Sequence, residues 1–191
     1  MRYSTVKLLL CGLIATLLTG CASLKVVETW HKPAAKTHTK IMILGIGSDE
    51  TKRKLFENIV VDELHQRMIT AVASHTILPD LDKTDRAGVV AAVHANGCDA
   101  VLTTRVLAKG DGTVTQPLPS GDSLGYVYGA SPLTTYGDFL KATLQANLYD
   151  AKTEELVWSA TFKTFDADRP AKVSRELGKF FFEALRKDGL I

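Results

Sequence analysis

The distribution of apolar residues predicts the first strand of a sheet and the helix that follows it. Residues 41–46 form a continuous apolar run with the length and β-branched content of a strand buried on both faces. Gly47-Ser48-Asp49 then predicts a turn into a helix over residues 50–69, with Ser48 or Asp49 as the N-cap. Apolar side chains at helical spacing predict its buried stripe: Phe56, Ile59, Val60, Leu64 and Met68. Charged residues fall mainly outside the stripe, where we expect them to remain solvated: Lys52, Arg53, Glu57, Asp62 and Arg67.

A second strand and helix follow, and then a third strand. Residues 76–78 predict a short strand that Pro79 ends, and both features favour an edge position. A helix over residues 85–95 comes next, and Asn96-Gly97 stops it. Residues 99–107 predict the third strand, which begins with an apolar segment. This alternation of strands and helices implies parallel pairing with right-handed crossovers.

The last third of the chain changes to alternation of apolar and polar residues. Residues 138–150 and the return segment 156–162 each predict a strand with one covered face, and together they predict an antiparallel hairpin. A final helix is predicted over residues 171–187. The elements predict an α/β (α+β) fold: a five-stranded mixed sheet in the order 2-1-3-4-5, three flanking helices, and a C-terminal β-hairpin followed by a helix. We expect Trp158 to lie against a helix.

Residues 1–20 have the pattern of a secretory signal. Arg2 and Lys7 are followed by a charge-free apolar run over residues 8–18. This run is too short to span a membrane, because a transmembrane helix needs about 20 apolar residues. It ends in Leu18-Thr19-Gly20-Cys21, which resembles the lipobox of bacterial lipoproteins.

The lipobox resemblance implies that Cys21 is acylated on its sulfur, for example with palmitate, and becomes the first residue after cleavage. Ala22 and Ser23 follow, in place of the aspartate that favours retention in the inner membrane. The resemblance therefore favours the periplasmic face of the outer membrane. The alternative is an ordinary signal peptide cut elsewhere. The chain then divides into a signal peptide (1–20), a lipidated N-terminus and tether with one short strand at most (21–40), and a single domain (41–191).

Composition and charge favour one domain that does not bind nucleic acid. The segment after the signal has a common size for a domain with its own core. The 23 basic residues include Arg2 and Lys7, so they balance the 21 acidic residues once the signal is removed. Charges of both signs are interspersed without a basic run, which argues against nucleic acid and leaves lipid as the means of membrane attachment.

Two patterns that can bind ligands have simpler explanations. Gly45 and Gly47 precede a helix as in phosphate-binding turns, but Glu50 occupies the third glycine position and would repel phosphate. A tight strand-to-helix turn is therefore favoured. His31 and His38 lack a third ligand at a defined spacing, so solvent-exposed histidines are favoured over a metal site.

The cysteines give no catalytic signature either. Cys11 leaves with the signal and Cys21 would be acylated, so Cys98 is alone and an intramolecular disulfide is excluded. His94 could deprotonate the Cys98 thiol, but no orienting Asn or Asp is identifiable, and a buried structural thiol is favoured. We predict no catalytic residue, no cofactor and no metal.

The segment 109–137 does not fit the pattern of the core. It is rich in Gly, Pro, Ser and Thr, and a loop of this length is usually either functional or disordered. It can be a hairpin extension whose tyrosines pack on its own sheet, or a flap that binds a partner. Asp111 and Asp122 could form a catalytic carboxylate pair, although simple solvation of the loop is favoured. The candidate partner-binding residues are Tyr126, Tyr128 and Tyr136.

Two segments of the domain carry a resemblance to known proteins. They are Ala100-Val101-Leu102 after Gly97-Cys98-Asp99, and Leu148-Tyr149-Asp150 turning into Leu156-Val157-Trp158-Ser159. They resemble small envelope lipoproteins: the activators of penicillin-binding proteins, the curli secretion lipoprotein and the N-terminal domain of the Tol-system periplasmic protein. The sequence has no Ser-centred elbow, His-rich metal site or phosphate loop, so we favour a non-enzymatic adaptor that binds another envelope protein, with its oligomeric state open. The alternatives are a hydrolase or transferase of envelope polymers, or a subunit of a secretion assembly.

Overall fold

The computed structural model describes residues 23–47, 49–109 and 141–191. These ranges contain six strands: β1 (Leu24–His31), β2 (Lys40–Ile46), β3 (Thr70–Ala73), β4 (Ala100–Lys109), β5 (Ala142–Asp150) and β6 (Leu156–Thr164). They also contain three α-helices: α1 (Glu50–His65), α2 (Arg86–Ala95) and α3 (Pro170–Lys187). In these ranges no helix has the length and apolarity needed to cross a membrane.

The six strands form one mixed sheet in the order β1-β6-β5-β4-β2-β3. β2 pairs in parallel with β3 and β4, whereas the pairs β4–β5, β5–β6 and β6–β1 are antiparallel. The predicted mixed sheet with three helices is confirmed, but five strands is wrong. The observed order differs from the predicted one by the added strand β1, which lies in the segment expected to be a tether. Every residue of β1 after Leu24 is exposed, so the loose alternation of residues 24–30 indicated one short strand at most and not a member of the sheet.

The second predicted strand is also in the wrong place. It was expected at residues 76–78, but β3 spans Thr70–Ala73, and Ser74–Thr76 forms a short 3₁₀ turn. The error arises because α1 ends at His65, four residues before the predicted end. Met68, which was assigned to the buried stripe of α1, is instead 93% exposed. The other two helices begin within one residue of their predicted positions.

The helices cover the two faces of the sheet unequally. α1 and α3 pack on the face that carries Ile41 and Ile43 of β2, and α2 packs on the face that carries Met42 and Leu44. The larger core is aromatic, because the rings of two strand residues meet those of α3: Trp158, Phe162, Phe180 and Phe181. The predicted contact of Trp158 with a helix is confirmed.

Gly178 allows α1 and α3 to pack closely. A β-carbon built on Gly178 would lie 2.8 Å from Cβ of Glu63 and 3.5 Å from Cα of Val60. Both of those residues belong to α1, and Val60 is fully buried. Any side chain at position 178 would therefore force the two helices apart.

We expect Gly178→Ala to lower the free energy of unfolding by about 1 kcal/mol or more, because overpacking outweighs the helix propensity of alanine. Urea unfolding followed by circular dichroism measures the change. Asn58→Ala, at an exposed position of α1, is the matched control and should not be destabilising. Equal stability of Gly178→Ala and the wild type would contradict the close approach of the helices.

Candidate functional site

A buried ionic network ties α1 to the ends of β2 and β3. The side chain of Glu57 is fully buried. Its Oε1 accepts hydrogen bonds from Gly45 N at 2.9 Å, Ser74 Oγ at 2.7 Å and Arg53 Nε at 3.0 Å. Its Oε2 accepts a bond from His75 N at 2.7 Å and lies 2.9 Å from His75 Nδ1. The carboxylate therefore has partners on both oxygens, as a buried charge requires.

Arg53 completes this network. Its Nη2 donates to Ser74 Oγ at 3.0 Å and to Leu78 O at 2.8 Å. Arg53 and Glu57 were expected to remain solvated, and this prediction is wrong because their partners lie beyond the helix. A β-carbon at position 45 would lie 3.1 Å from Phe56 Cδ1, so glycine suits the close approach of β2 to α1 here. The network fixes the segment after β3 against α1.

The same bonds explain the Gly45-x-Gly47 turn. The amide of Gly45 donates to Glu57, so the group that a phosphate would use already binds a carboxylate. The turn then leads into α1, where Asp49 is the N-cap and accepts a bond from Lys52 N at 3.0 Å. The arrangement is a strand-to-helix turn, as the sequence favoured.

Met68 lies at the reversal between α1 and β3, in an unusual backbone conformation. Ile69 N donates to Leu64 O at 3.1 Å and Met68 N donates to His65 O at 2.9 Å, which is the pattern of a Schellman helix ending. Met68 has φ +63°, and this position in the motif usually holds glycine because a left-handed backbone disfavours L-residues. Its side chain is nevertheless large, apolar and 93% exposed. Packing within the described residues does not account for a methionine at this place.

The edge strand beside Met68 is capped by side chains. His65 Nε2 lies 2.9 Å from Ala71 O, and Thr76 Oγ1 donates to Ala73 O at 2.8 Å. Two carbonyl groups of β3 therefore have partners other than a neighbouring strand. Such capping protects an edge from pairing with another chain. The Met68 side chain, and not the backbone of β3, is the feature that this edge offers to a partner.

A second buried polar group lies at the amino ends of the parallel strands. His38 is 2% exposed, and within the described residues neither of its ring nitrogens has a hydrogen-bond partner. Its expected exposure is therefore wrong. Burial lowers the pKa of His38. The negative charges of Asp99 and Asp150 raise the pKa in part, and the positive charge of Lys36 lowers it further. The nearby backbone of Asp99 slightly favours the charged form of His38, although it does not form a hydrogen bond with the ring.

The two carboxylates around His38 are held ionised. Burial alone would raise the pKa of Asp99, but the amides of Lys40 and Thr39 and the Thr39 hydroxyl donate to it, and the net pKa is lowered. Asp150 behaves in the same way, because amide donors of its turn and the Lys36 ammonium at 2.9 Å outweigh burial. These groups stabilise the chain connections at this end of the sheet.

The remaining histidine and cysteine candidates do not form a ligand site. Within 23–47, 49–109 and 141–191, no group of three or more His, Cys, Asp or Glu residues is placed to hold a metal ion. The side chain of His31 is half-exposed, 3.7 Å from Asp188. Cys98 is 4% exposed, and burial raises the pKa of its thiol, which is the reverse of activation.

Six residues singled out from sequence lie outside the described residues: Cys21, Tyr126, Tyr128, Tyr136, Asp111 and Asp122. Their roles stay predictions. Sequence reasoning missed the features described above at Arg53, Glu57, His38 and Met68. A signal was available for Arg53 and Glu57, whose i,i+4 spacing allows an ion pair. For Met68 and His38 the sequence holds no comparable signal.

Comparison with known proteins finds a distant likeness in structure only. No family model matches the sequence, and no curated protein matches it. A solved PelC dodecamer from Paraburkholderia phytofirmans is 14% identical with a TM-score of 0.47, covering 88% of this chain and 99% of that chain. A point variant of the same dodecamer is 16% identical with a TM-score of 0.47, covering 82% and 96%. Likeness of this degree carries no functional inference.

We expect the free energy of unfolding to fall as the pH is lowered from about 7 to about 5. The pKa of His38 is lower in the folded chain than its ordinary value of 6.5, so the unfolded chain binds the proton first and is favoured. His38→Leu removes this titration and should flatten the profile in that interval. At pH 8 it should also stabilise the fold by about 1 kcal/mol, because no unpartnered buried nitrogen remains.

Urea unfolding at a series of pH values measures both effects. His94→Gln, at an exposed position of α2, is the control and should keep the slope of the wild type. Stability lost below about pH 4 belongs to the carboxylates whose pKa values are lowered in the folded chain, Asp99 and Asp150 among them, and that loss should remain in both variants. A His38→Leu chain with an unchanged slope would contradict the assignment to His38.

Proposed function

We propose that the protein is a lipid-anchored adaptor of the bacterial cell envelope that binds another envelope protein and catalyses no reaction. The lipobox-like Leu18-Thr19-Gly20-Cys21 supports the anchor, which we place on the periplasmic face of the outer membrane. Four buried or partly buried charged residues bond to other segments of the chain: Arg53, Glu57, Asp99 and Asp150. This supports a structural role for them.

The observation that carries the adaptor role is Met68. A backbone in the left-handed region costs a residue with a side chain about 1–2 kcal/mol, and glycine would avoid that cost. An exposed thioether side chain gains nothing from the core, but methionine is common at protein-binding surfaces because it is flexible and polarisable. We infer that Met68 contacts the partner. Strain kept at an exposed position is a reason to seek a function there.

Three tyrosines remain further candidate contacts: Tyr126, Tyr128 and Tyr136. They lie in the 109–137 segment, and tyrosine combines apolar area with a polar tip at little rotamer cost. Because Met68 can be tested without them, the two sets of residues are independent parts of the proposal.

The anchor predicts that Cys21→Ser abolishes incorporation of labelled palmitate in growing cells. The variant should remain uncleaved or become soluble, because the thiol that carries the lipid is absent. Cys98→Ser is the matched control, since Cys98 lies buried in the domain and should not affect labelling. Undiminished labelling of Cys21→Ser would remove the lipoprotein assignment.

The adaptor role predicts opposite effects of Met68→Gly on stability and on binding. Glycine accepts φ +63° without strain, so the free energy of unfolding should rise by about 1 kcal/mol and the Tm by about 2–4 °C. Partner capture should weaken by on the order of 1 kcal/mol, because the contact side chain is lost. Differential scanning calorimetry measures the first effect. Photocrosslinking in intact cells from a probe at the exposed Thr70 measures the second.

Leu55→Ala is the control for this experiment. Leu55 is also a partly exposed large apolar residue, but it lies within α1 in ordinary helical backbone. Its replacement should leave the crosslink yield unchanged. A Met68→Gly chain that is more stable and still captures its partner fully would show that the contact surface lies elsewhere.

A further inference from the structure

The edge strand β1 presents apolar and cationic side chains to the outside of the molecule. Val27 is 52% exposed and Trp30 is 43% exposed, and Phe165, just beyond the end of β6, is 50% exposed. A β-bulge between Val26 and Glu28 interrupts the pairing of β1 with β6. Large apolar residues concentrated on one exposed edge indicate an interaction surface.

The strand register places several of these residues on one face of the sheet. Trp158 packs against α3, so its neighbour Ser159 belongs to the opposite face, and Trp30 is paired with Ser159. Lys25 and Lys163 are paired across the same two strands and lie on that face too. The pairing continues through the bond from Phe165 N to Ser23 O, so Phe165 follows Lys163 on this side. Glu28 is paired with Thr161, which lies between Ser159 and Lys163 at the same alternation, so Glu28 shares this face. We call these five residues the outer face of β1: Lys25, Glu28, Trp30, Lys163 and Phe165.

The two lysines on this face oppose each other directly. Like charges at paired positions of antiparallel strands are destabilising. Both side chains are exposed, and no carboxylate of the described residues forms a salt bridge with either. Glu28, at the pair with Thr161, is the acidic residue of this face, and Asp166, just beyond Lys163, is paired with Lys172. The face therefore keeps one more cation than anions. An anionic ligand between Lys25 and Lys163 would relieve their repulsion.

The length of chain ahead of β1 identifies the partner. Only Ala22 separates Cys21 from Ser23, where the described structure begins. Two residues span at most about 7 Å even when fully extended. An acyl group on Cys21 therefore holds the start of β1 at the membrane surface, whatever conformation those residues adopt.

We propose that the outer face of β1 docks on the headgroup layer of an anionic bilayer. The proposal rests on the lipid anchor of the proposed function. Lys25 and Lys163 bind lipid phosphates, and Trp30 enters the interface, where an aromatic ring with a polar N–H group is favoured. Phe165 adds apolar contact area beside it. The lipid thus fixes the orientation of the domain as well as its location.

The test uses the acylated full chain in vesicles of phosphatidylethanolamine and brominated phosphatidylglycerol, with tryptophan fluorescence as the readout. The chain has two tryptophans, and Trp158 is fully buried against α3, so bromine should quench Trp30 alone. Quenching should disappear in Trp30→Phe. The double variant K25E/K163E should lower the ratio of docked to undocked domains by about tenfold or more, and high salt should act in the same direction.

The control for charge is R175E/K179E, at two exposed positions of α3 on the other side of the sheet. It should leave quenching unchanged. A chain that floats with the vesicles while Trp30 stays unquenched overturns the docking and leaves the anchor intact. Failure to float overturns the anchor and the docking together. Shielding of Trp30 in a dimer formed without vesicles would assign the face to a second copy and overturn the proposal.

Discussion

The carboxylate of Glu57 is the constraint on which one half of the domain depends. It is fully buried, and its partners come from three places: the end of β2, the same helix, and the segment that follows β3. Removing one member of a buried ion pair typically costs about 3–5 kcal/mol, because the other charge is left uncompensated. The helix, the strand ends and the loop to Leu78 must therefore assemble together. Their mutual position is fixed by this network together with the apolar cores on the two faces of the sheet.

This constraint also explains why the backbone is strained at Met68. Glu57 fixes α1 on the sheet, and β3 must begin at Thr70 in order to pair with Lys40. The chain has only the residues between Leu64 and Thr70 in which to reverse direction, so a left-handed residue at this point follows from the topology. Topology demands the conformation but not the side chain. The topology does not explain why a large exposed side chain occupies that position, and this is the reason to assign a contact there.

The sequence predicted those elements whose burial follows a simple period. Buried strands such as β2, the alternating hairpin and α3 carry their pattern in neighbouring residues. It failed where the determining contact is distant: Arg53 and Glu57 resemble solvated charges because their partners outside α1 lie 12–25 residues away. The end of α1 was missed because Met68 continues the helical spacing of Leu64. β1 was predicted only as one short strand at most within a tether, and not as part of the sheet, because an edge strand exposed on both faces has no clear period of two. The proposed contact residue Met68 was identified only from its left-handed backbone conformation.

The two proposed surfaces lie at opposite edges of the sheet. β1 forms one edge and β3 the other, and the order of six strands places about five inter-strand spacings, roughly 24 Å, between them. If the outer face of β1 lies on the lipid headgroups, Met68 is held away from the membrane by the width of the sheet. The side-chain bonds from His65 and Thr76 then protect the far edge from unspecific strand pairing while leaving Met68 accessible. One sheet can thus orient itself through lipid at one edge and present a single apolar contact to a periplasmic partner at the other.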